Sequence, residues 1–293
     1  MKSKTHGYIF LLLALTIFSA QDAISKHLGS AYSPIFVTMV RYWAFGLFTV
    51  VLASKMRGGI AATARTKHPF LQVSRGILLA TQVVLAITCF ALIGLAHSQA
   101  IFAATPIIVA LLAIPLLGEK VGWRRWTAIG VGLCGVLLIL KPEGGFFDVN
   151  LLLAVVSCLN FALYVIATRY VSRQDSAMTS FFYTGIVGAF VMTLAGPFYW
   201  TPIQGWDWIW MLAVCLTGTS SHYFLIRAYD SLDAAAVQPL TYIQLVYASI
   251  LGVLIYGETL TLNMIVGSII VVAAGIFTVW REHVVARRAA VPN

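Results

Sequence analysis

Three charged residues lie inside or directly beside long apolar runs, where each is costly unless another group neutralises it. Asp22 belongs to the first run, Lys26 directly follows that run, and Arg41 belongs to the second. A charge removed from water destabilises a fold when it has no partner. Because Asp22 and Lys26 are four residues apart, a helix places them on one face. The pattern predicts an Asp22–Arg41 ion pair with Lys26 nearby, which either locks two helices together or forms a gate or part of a binding site.

Uncharged polar residues also fall near the middle of apolar runs. They are Ser19, Gln82, Thr105, Asn160, Tyr242 and Gln244. Such groups either hydrogen-bond from helix to helix or bind a polar ligand between helices, and we expect them to converge on one substrate site. Histidine side chains ordinarily titrate near neutral pH, so His222 is a candidate to carry a coupling proton, and a neutral buried histidine is the alternative.

Motifs that indicate a cofactor, a metal or an ATP site are missing from the sequence. There is no G-x-x-x-x-G-K-[ST] loop, no H-E-x-x-H pair and no TVGYG-like filter, which argues against ATP hydrolysis, metal catalysis and a potassium-type pore. The four cysteines are isolated from one another, so no C-x-x-C site exists. We therefore expect no cofactor and no metal.

The composition is that of an integral membrane protein. Of the 293 residues, 60% are hydrophobic and 10% are charged, with a mean hydropathy of +0.90, whereas soluble domains carry roughly 25% charged residues. The net charge of +9 does not indicate nucleic-acid binding, because no stretch is long enough to form the exposed domain that a basic patch requires.

Ten runs are long and apolar enough to cross a bilayer, for which a helix needs about 20 residues. They cover residues 8–25, 34–54, 70–95, 100–117, 123–140, 151–169, 179–200, 208–226, 234–256 and 262–280. The predicted fold class is an all-α integral membrane protein with ten transmembrane helices, whose surroundings are the lipid bilayer.

The basic residues predict the orientation. With the N-terminus in the cytoplasm, all of the 19 Lys and Arg residues except Lys26, Arg41 and Lys141 fall on the inner side, as the positive-inside rule requires. An even number of spans places both termini in the cytoplasm, and we expect a multi-pass protein of the bacterial inner membrane.

The chain also repeats itself. Gly118–Glu119 closes the fourth run and Gly257–Glu258 closes the ninth, and we expect each glutamate to favour the start of the helix that follows it. The repeats are residues 1–141 and 150–282, followed by a cytoplasmic tail at 283–293. Because each repeat holds five spans, the second enters the membrane from the opposite side, giving an inverted-topology repeat of the kind found in transporters.

Two long segments carry a family resemblance. "ALIGLAHSQAIFAATPIIVALLAIPLLGEKVGWRRWTAIGVGLCGVLLIL" and "AYDSLDAAAVQPLTYIQLVYASILGVLIYGETLTLNMIVGSIIVVAAGIF" resemble the EamA repeat of the drug/metabolite transporter superfamily. The matching positions are Ala91, Pro106, Gly118 and Glu119 in the first repeat, and Ala228, Gly257 and Glu258 in the second. The second repeat departs from the pattern at Leu245, where members often carry proline, and has Pro239 earlier instead.

The resemblance implies ten helices, of which the third, fourth, eighth and ninth line a central cavity. The run "QPLTYIQLVYASILGVLIYGE" resembles a bacterial subgroup that includes riboflavin and S-adenosylmethionine uptake carriers. We therefore expect a secondary active transporter, not an enzyme, that moves a small organic metabolite by alternating access, with a proton as a candidate coupling ion.

Two other functional classes stay open at this point. An intramembrane enzyme would have only the scattered Asp22, His222 and Asp230 as its constellation, and a non-transporting membrane partner would need no site at all. Import or export, and a homodimeric assembly, are equally open.

Overall fold

A computed structural model describes residues 4–117, 123–140, 149–229, 232 and 238–289. Within these ranges the regular structure is entirely helical, as the sequence predicts. The helices are α1 Lys4–Ala31, α2 Pro34–Ser54, α3 Gly59–Thr63, α4 Pro69–Ile93, α5 Leu95–Phe102, α6 Thr105–Leu117, α7 Trp123–Leu140, α8 Val149–Val171, α9 Ala177–Ala195, α10 Asp207–Tyr229, α11 Ile243–Tyr256 and α12 Leu262–Ala289. Single 3-10 turns cover Gly196–Tyr199 and Gln238–Tyr242.

Six of these segments are long and apolar enough to cross a membrane. They are Thr5–Ala31, Pro34–Ser54, Pro69–Ile93, Leu95–Leu116, Val149–Val171 and Ala177–Tyr199, and shorter apolar helices cover Trp126–Leu140, Leu240–Tyr256 and Leu262–Thr278. Large apolar side chains such as Leu47, Leu216 and Leu254 point outward, where hydrocarbon replaces water as the solvent. The chain is a multi-pass membrane protein.

Helix boundaries follow local chemistry. Pro34 and Pro69 begin α2 and α4, at the position where a missing N–H costs nothing. The Ser176 hydroxyl accepts a hydrogen bond from the Thr179 backbone N–H and so caps α9. Gly94 has φ of +93°, a conformation that only glycine adopts readily, and it separates α4 from α5.

Several predicted spans differ from the helices observed, and the differences in the first and fourth spans concern residues of the site. The fourth span was expected to begin at residue 100, but its helix begins at Leu95 and is interrupted at Ala103–Ala104 before α6. The first helix continues to Ala31, so Lys26 lies within it. Gly118, Glu119 and Asp230 lie outside the described residues.

The long helices pack in pairs, and α1 contacts helices from both halves of the chain. The major pairs are α1 with α10, α4 with α8, α7 with α12, and α2 with α9. α1 also contacts α4 and α11. Because α1 touches helices from both halves of the chain, its polar face lies between those halves.

Candidate functional site

Asp22 is held by two amides from different helices. Gln99 Nε2 on α5 donates a 2.7 Å hydrogen bond to Asp22 Oδ2, and Gln244 Nε2 on α11 donates a 2.8 Å bond to the same oxygen. The residue is 8% exposed. Since both donors share one oxygen, Asp22 Oδ1 receives no hydrogen bond from the described part of the chain.

Arg41 lies on the opposite side of this site, against α10. A Cβ placed on Gly218 would be 3.1 Å from Arg41 Nε and 3.2 Å from Gln21 Oε1, so the glycine makes room for both side chains. The other face of α2 carries the outward-facing Trp43 and Leu47, whereas Arg41 faces inward. Its partial exposure is therefore to space between the helices.

The direct ion pair predicted between Asp22 and Arg41 is not formed among the described residues. The two charges lie close enough to interact electrostatically. Gln99 and Gln244 fix the carboxylate from one side, and the guanidinium is seated beside Gly218. In place of the expected direct pair, Asp22 is held by Gln99 and Gln244. Gln244 was among the polar residues expected at the site, whereas Gln99 was not.

His222 lies one turn beyond Gly218 and is surrounded by phenyl rings. Its ring centroid is 5.1 Å from that of Phe18, 5.6 Å from that of Phe45 and 6.4 Å from that of Phe181. The site thus has an apolar, aromatic side next to its charged side.

Lys26 pairs with Glu258 rather than joining Asp22. Lys26 Nζ donates to Glu258 Oε1, and its ammonium lies 4.2 Å from the centroid of the Tyr256 ring. The Tyr256 hydroxyl in turn donates a 2.6 Å hydrogen bond to the Ala23 carbonyl. These contacts tie the end of α11 to α1.

Glu258 also caps α5. Its Oε1 accepts the Leu95 N–H at 2.7 Å and its Oε2 accepts the Ala96 N–H at 2.8 Å, at the positive end of the helix dipole. The expectation that Glu258 would serve the helix that follows it is corrected: the helix it serves is α5, because the break at Gly94 exposes these N–H groups.

The remaining predicted residues divide into two groups. Gln82 Nε2 donates to Ser157 Oγ at 2.8 Å, and Asn160 Nδ2 donates to the Leu78 carbonyl at 2.9 Å and to Gln82 Oε1 at 3.3 Å. These bonds join α4 to α8. Ser19 donates to the Leu15 carbonyl in its own helix, and Thr105 at the start of α6 donates to the Phe102 carbonyl at the end of α5. Tyr242 is buried with a hydroxyl that has no partner in the described ranges.

A second polar network, which the sequence did not reveal, surrounds Arg75 near the start of α4. Arg75 is 2% exposed, and it donates to Thr168 Oγ1 at 2.8 Å and to Gln72 Oε1. Gln72 Nε2 donates to Asp175 Oδ2 at 2.8 Å and to Ser180 Oγ at 3.2 Å. In the sequence, Arg75 lies close to the end of a predicted span and counts among the basic residues of the inner side. Its burial was therefore not predicted.

Asp175 is the acceptor at the edge of this network, in the connection between α8 and α9. Besides Gln72, it accepts the Thr66 hydroxyl and, at 3.0 Å, the Lys67 backbone N–H. Partial burial raises the pKa of the Asp175 carboxyl, but these hydrogen bonds outweigh it and hold the pKa below its ordinary value.

Nothing in the described ranges resembles a metal centre, since no three His, Cys, Asp or Glu side chains come together there. The described site is therefore built from one carboxylate, one guanidinium, amides and aromatic rings. Such groups bind and orient an organic molecule.

The fold resembles that of a solved crystal structure. That structure matches with a TM-score of 0.62 at 18% identity, over 99% of this chain and 100% of that one. The likeness extends over the whole chain and concerns the fold alone.

Curated bacterial relatives also match along nearly the whole chain. An S-adenosylmethionine uptake transporter of Rickettsia prowazekii (strain Madrid E) is 26% identical over 96% of this chain and 95% of its own. A riboflavin transporter of Rhizobium johnstonii is 27% identical over 94% and 91%. A pseudopaline exporter of Pseudomonas aeruginosa is 26% identical over 92% and 94%.

The model of the EamA-like transporter family matches residues 5–141 and again residues 149–280. The first match contains Asp22 and Gln99, and the second contains Gln244. The contacts around Asp22 are therefore made by residues of both matched segments. The chain belongs to the EamA-like transporter family.

Proposed function

We propose that the protein is a secondary active transporter that moves a small organic metabolite across the bacterial inner membrane. It works by alternating access between two inverted five-helix repeats, residues 1–141 and 150–282, with both termini and the tail at 283–293 in the cytoplasm. The observation that carries the proposal is the position of Asp22, which receives Gln99 from the first half and Gln244 from the second.

The helix packing supports the inverted repeat. If each first-half span corresponds to the span five places later, α1 corresponds to α8 and α4 to α10. The packing of α1 on α10 then has its counterpart in the packing of α8 on α4. The pairs α7–α12 and α2–α9 each map onto themselves, as a two-fold relation requires.

Contacts between the halves occur at both ends of the bundle, which supports alternating access. Glu258 binds Lys26 and the start of α5 at one end, and the Arg75–Thr168 and Gln72–Asp175 contacts lie at the other. Arg75 and Ile93 are separated by roughly 27 Å along α4. Opening one set while the other stays closed exposes the central site to one side at a time.

In the mechanism that we propose, Asp22, Arg41, Gln244 and Tyr242 bind the substrate. Gln82 and Asn160 contribute through the α4–α8 contact that they make with each other. Lys26 and Glu258 act as the outer gate, and His222 carries the coupling proton.

The chemistry of the relatives supports an organic substrate. Their names specify S-adenosylmethionine and riboflavin, both of which have flat ring systems and polar groups. A site with amides and phenyl rings offers matching surfaces, whereas a bare inorganic ion would need several oxygen ligands to replace its hydration shell.

Flux into proteoliposomes tests the function. Purified full chain should give saturable uptake of S-adenosylmethionine or riboflavin, and the solute should be recovered chemically unchanged. Cysteine labelling should find the loop at 55–68 accessible from the cytoplasmic side. Absence of flux for both compounds and for a wider metabolite panel, from protein that is folded and inserted, would refute a transporter, and covalent change of the solute would favour an enzyme.

A further inference from the structure

We propose that Asp22 and Arg41 together bind the zwitterionic α-amino acid group of the substrate. The Asp22 carboxylate receives the substrate ammonium, and the Arg41 guanidinium donates to the substrate carboxylate. This inference rests on the proposed function, because it names the substrate class of the same site.

The first step in the argument is unused hydrogen-bonding capacity. Asp22 accepts both of its hydrogen bonds on Oδ2, so Oδ1 is free to accept from a ligand. Within the described part of the chain, Arg41 makes no hydrogen bond and no ion pair, although a guanidinium has five N–H donors. A buried charge without partners is unfavourable, and a ligand that pairs with both removes that cost.

Two more polar atoms beside Asp22 lack a partner. Gln21 Oε1 and Ser25 Oγ are both buried on α1 and have no hydrogen-bond partner in the described ranges. Gln21 is only 3% exposed and Ser25 1%, so bulk water does not reach them. Gln21 Oε1 also lies on the Gly218 side of the site, where Arg41 is seated. Buried polar atoms without a partner require an explanation, and a ligand bound beside Asp22 would supply one.

The second step is charge balance. The site holds one negative and one positive group, and their charges cancel. A ligand that carries only an ammonium or only a carboxylate would leave the other protein charge uncompensated in a low-dielectric environment. A zwitterion satisfies both, and the planar guanidinium fork suits a carboxylate because it donates two parallel hydrogen bonds.

The third step is that different neighbours hold the two charged groups. The amides of Gln99 and Gln244 hold the carboxylate from the α5 and α11 side. Arg41 occupies the space that Gly218 leaves on α10. Because the two groups form no direct ion pair among the described residues, each keeps hydrogen-bonding capacity for a small dipolar ligand.

The aromatic neighbours extend the site beyond that group. Phe18, Phe45 and Phe181 surround His222, which lies one helical turn from Gly218, where Arg41 is seated. Rings in this position suit the apolar or heterocyclic remainder of an amino acid derivative. Of the two compounds named above, S-adenosylmethionine carries an α-amino acid group and riboflavin does not, so the site favours the former.

Competition binding to the purified full chain tests the inference with wild-type protein alone. Tritiated S-adenosylmethionine is the probe, and L-methionine, L-methionine methyl ester and N-acetyl-L-methionine are the competitors. We expect L-methionine to compete at least tenfold better than either blocked derivative, since each derivative lacks one of the two charges. Equal competition by all three, or no binding of any amino acid compound, overturns the inference.

Two variants test which residue binds the ammonium of the ligand and which binds its carboxylate. Asp22→Asn should abolish the preference for L-methionine over its N-acetyl derivative, and Arg41→Gln should abolish the preference over the methyl ester. Arg57→Gln, at an exposed position, is a charge-matched control for Arg41→Gln that should keep both preferences. If the Asp22 and Arg41 variants retain both preferences, the assignment of the two residues is refuted. If the variants do not fold, the competition experiment with wild-type protein decides whether the inference holds.

The outcomes separate this inference from the proposed function. Riboflavin flux without binding of any amino acid compound would overturn the zwitterion site and leave the transporter intact. Absence of flux for every compound, from correctly inserted protein, would remove both.

Discussion

Glu258 and Leu95 belong to opposite halves of the chain, yet the Glu258 carboxylate accepts the Leu95 backbone N–H at 2.7 Å. With Ala96 and Lys26, this contact closes one end of the bundle around a helix start. A single side chain therefore links α5, α11 and α1.

Glu258→Ala should destabilise the protein by roughly 1–3 kcal/mol, because two backbone N–H groups and the Lys26 ammonium lose their acceptor. Glu258→Gln should cost less, since its amide oxygen still accepts one N–H. Denaturant unfolding in detergent measures both changes. If the alanine variant unfolds like the wild type, the cap has no structural importance.

Gly218→Ala should impair transport while the protein stays folded. The added methyl group would sit 3.1 Å from Arg41 Nε, so the guanidinium must shift away from its position beside α10. Gly130→Ala is the matched control, because a Cβ there meets nothing within 4 Å. Kinetics of uptake for the two variants check this, and equal rates would contradict the placement of Arg41 in the site.

Gln82 and Gln244 should respond differently to alanine substitution. Gln82→Ala breaks the bonds to Ser157 and Asn160, so it should lower stability through the α4–α8 contact. Gln244→Ala removes a donor to Asp22 and should weaken substrate binding by roughly 1–3 kcal/mol. Thermal unfolding and ligand titration on both variants distinguish the roles, and a binding defect confined to Gln82→Ala would reverse the assignment.

Asp175→Asn should show a pH-dependent loss of stability. The hydrogen bonds lower the carboxyl pKa in the folded protein, so its stabilising contribution is complete above the unfolded value of about 3.9 and is lost as pH falls through the folded pKa. The wild type should therefore be more stable than the variant at neutral pH, and the gap should narrow below about pH 4. Unfolding curves at several pH values test this, and a gap that widens in acid would contradict it.

His222→Phe should uncouple transport from a pH gradient if His222 carries the proton. The phenyl ring preserves the packing against Phe18 and Phe45, so substrate exchange across the membrane should persist. An imposed gradient should accelerate uptake by the wild type and not by the variant. The same acceleration in both proteins would exclude His222 from coupling.

Hydropathy identified Asp22, Lys26 and Arg41 because a charged residue in or beside an apolar run can be recognised from the sequence without a structure. It did not identify their partners, since the glutamate that binds Lys26 is 232 residues away. Gln99 was missed because the fourth span was expected to start one residue after it, and the positive φ of Gly94 instead brings this residue into α5. The helical fold was predictable from composition, whereas the partners depend on where helices break.

The cap on α5 has a consequence for biosynthesis. The Ala96 N–H finds its acceptor 162 residues further along the chain, and a backbone N–H without a partner is costly in a bilayer. During synthesis, this cap on α5 can therefore form only after the ninth span has been translated. A chain that stops before residue 258 lacks the acceptor, so the first half completes this contact only when the second half is present.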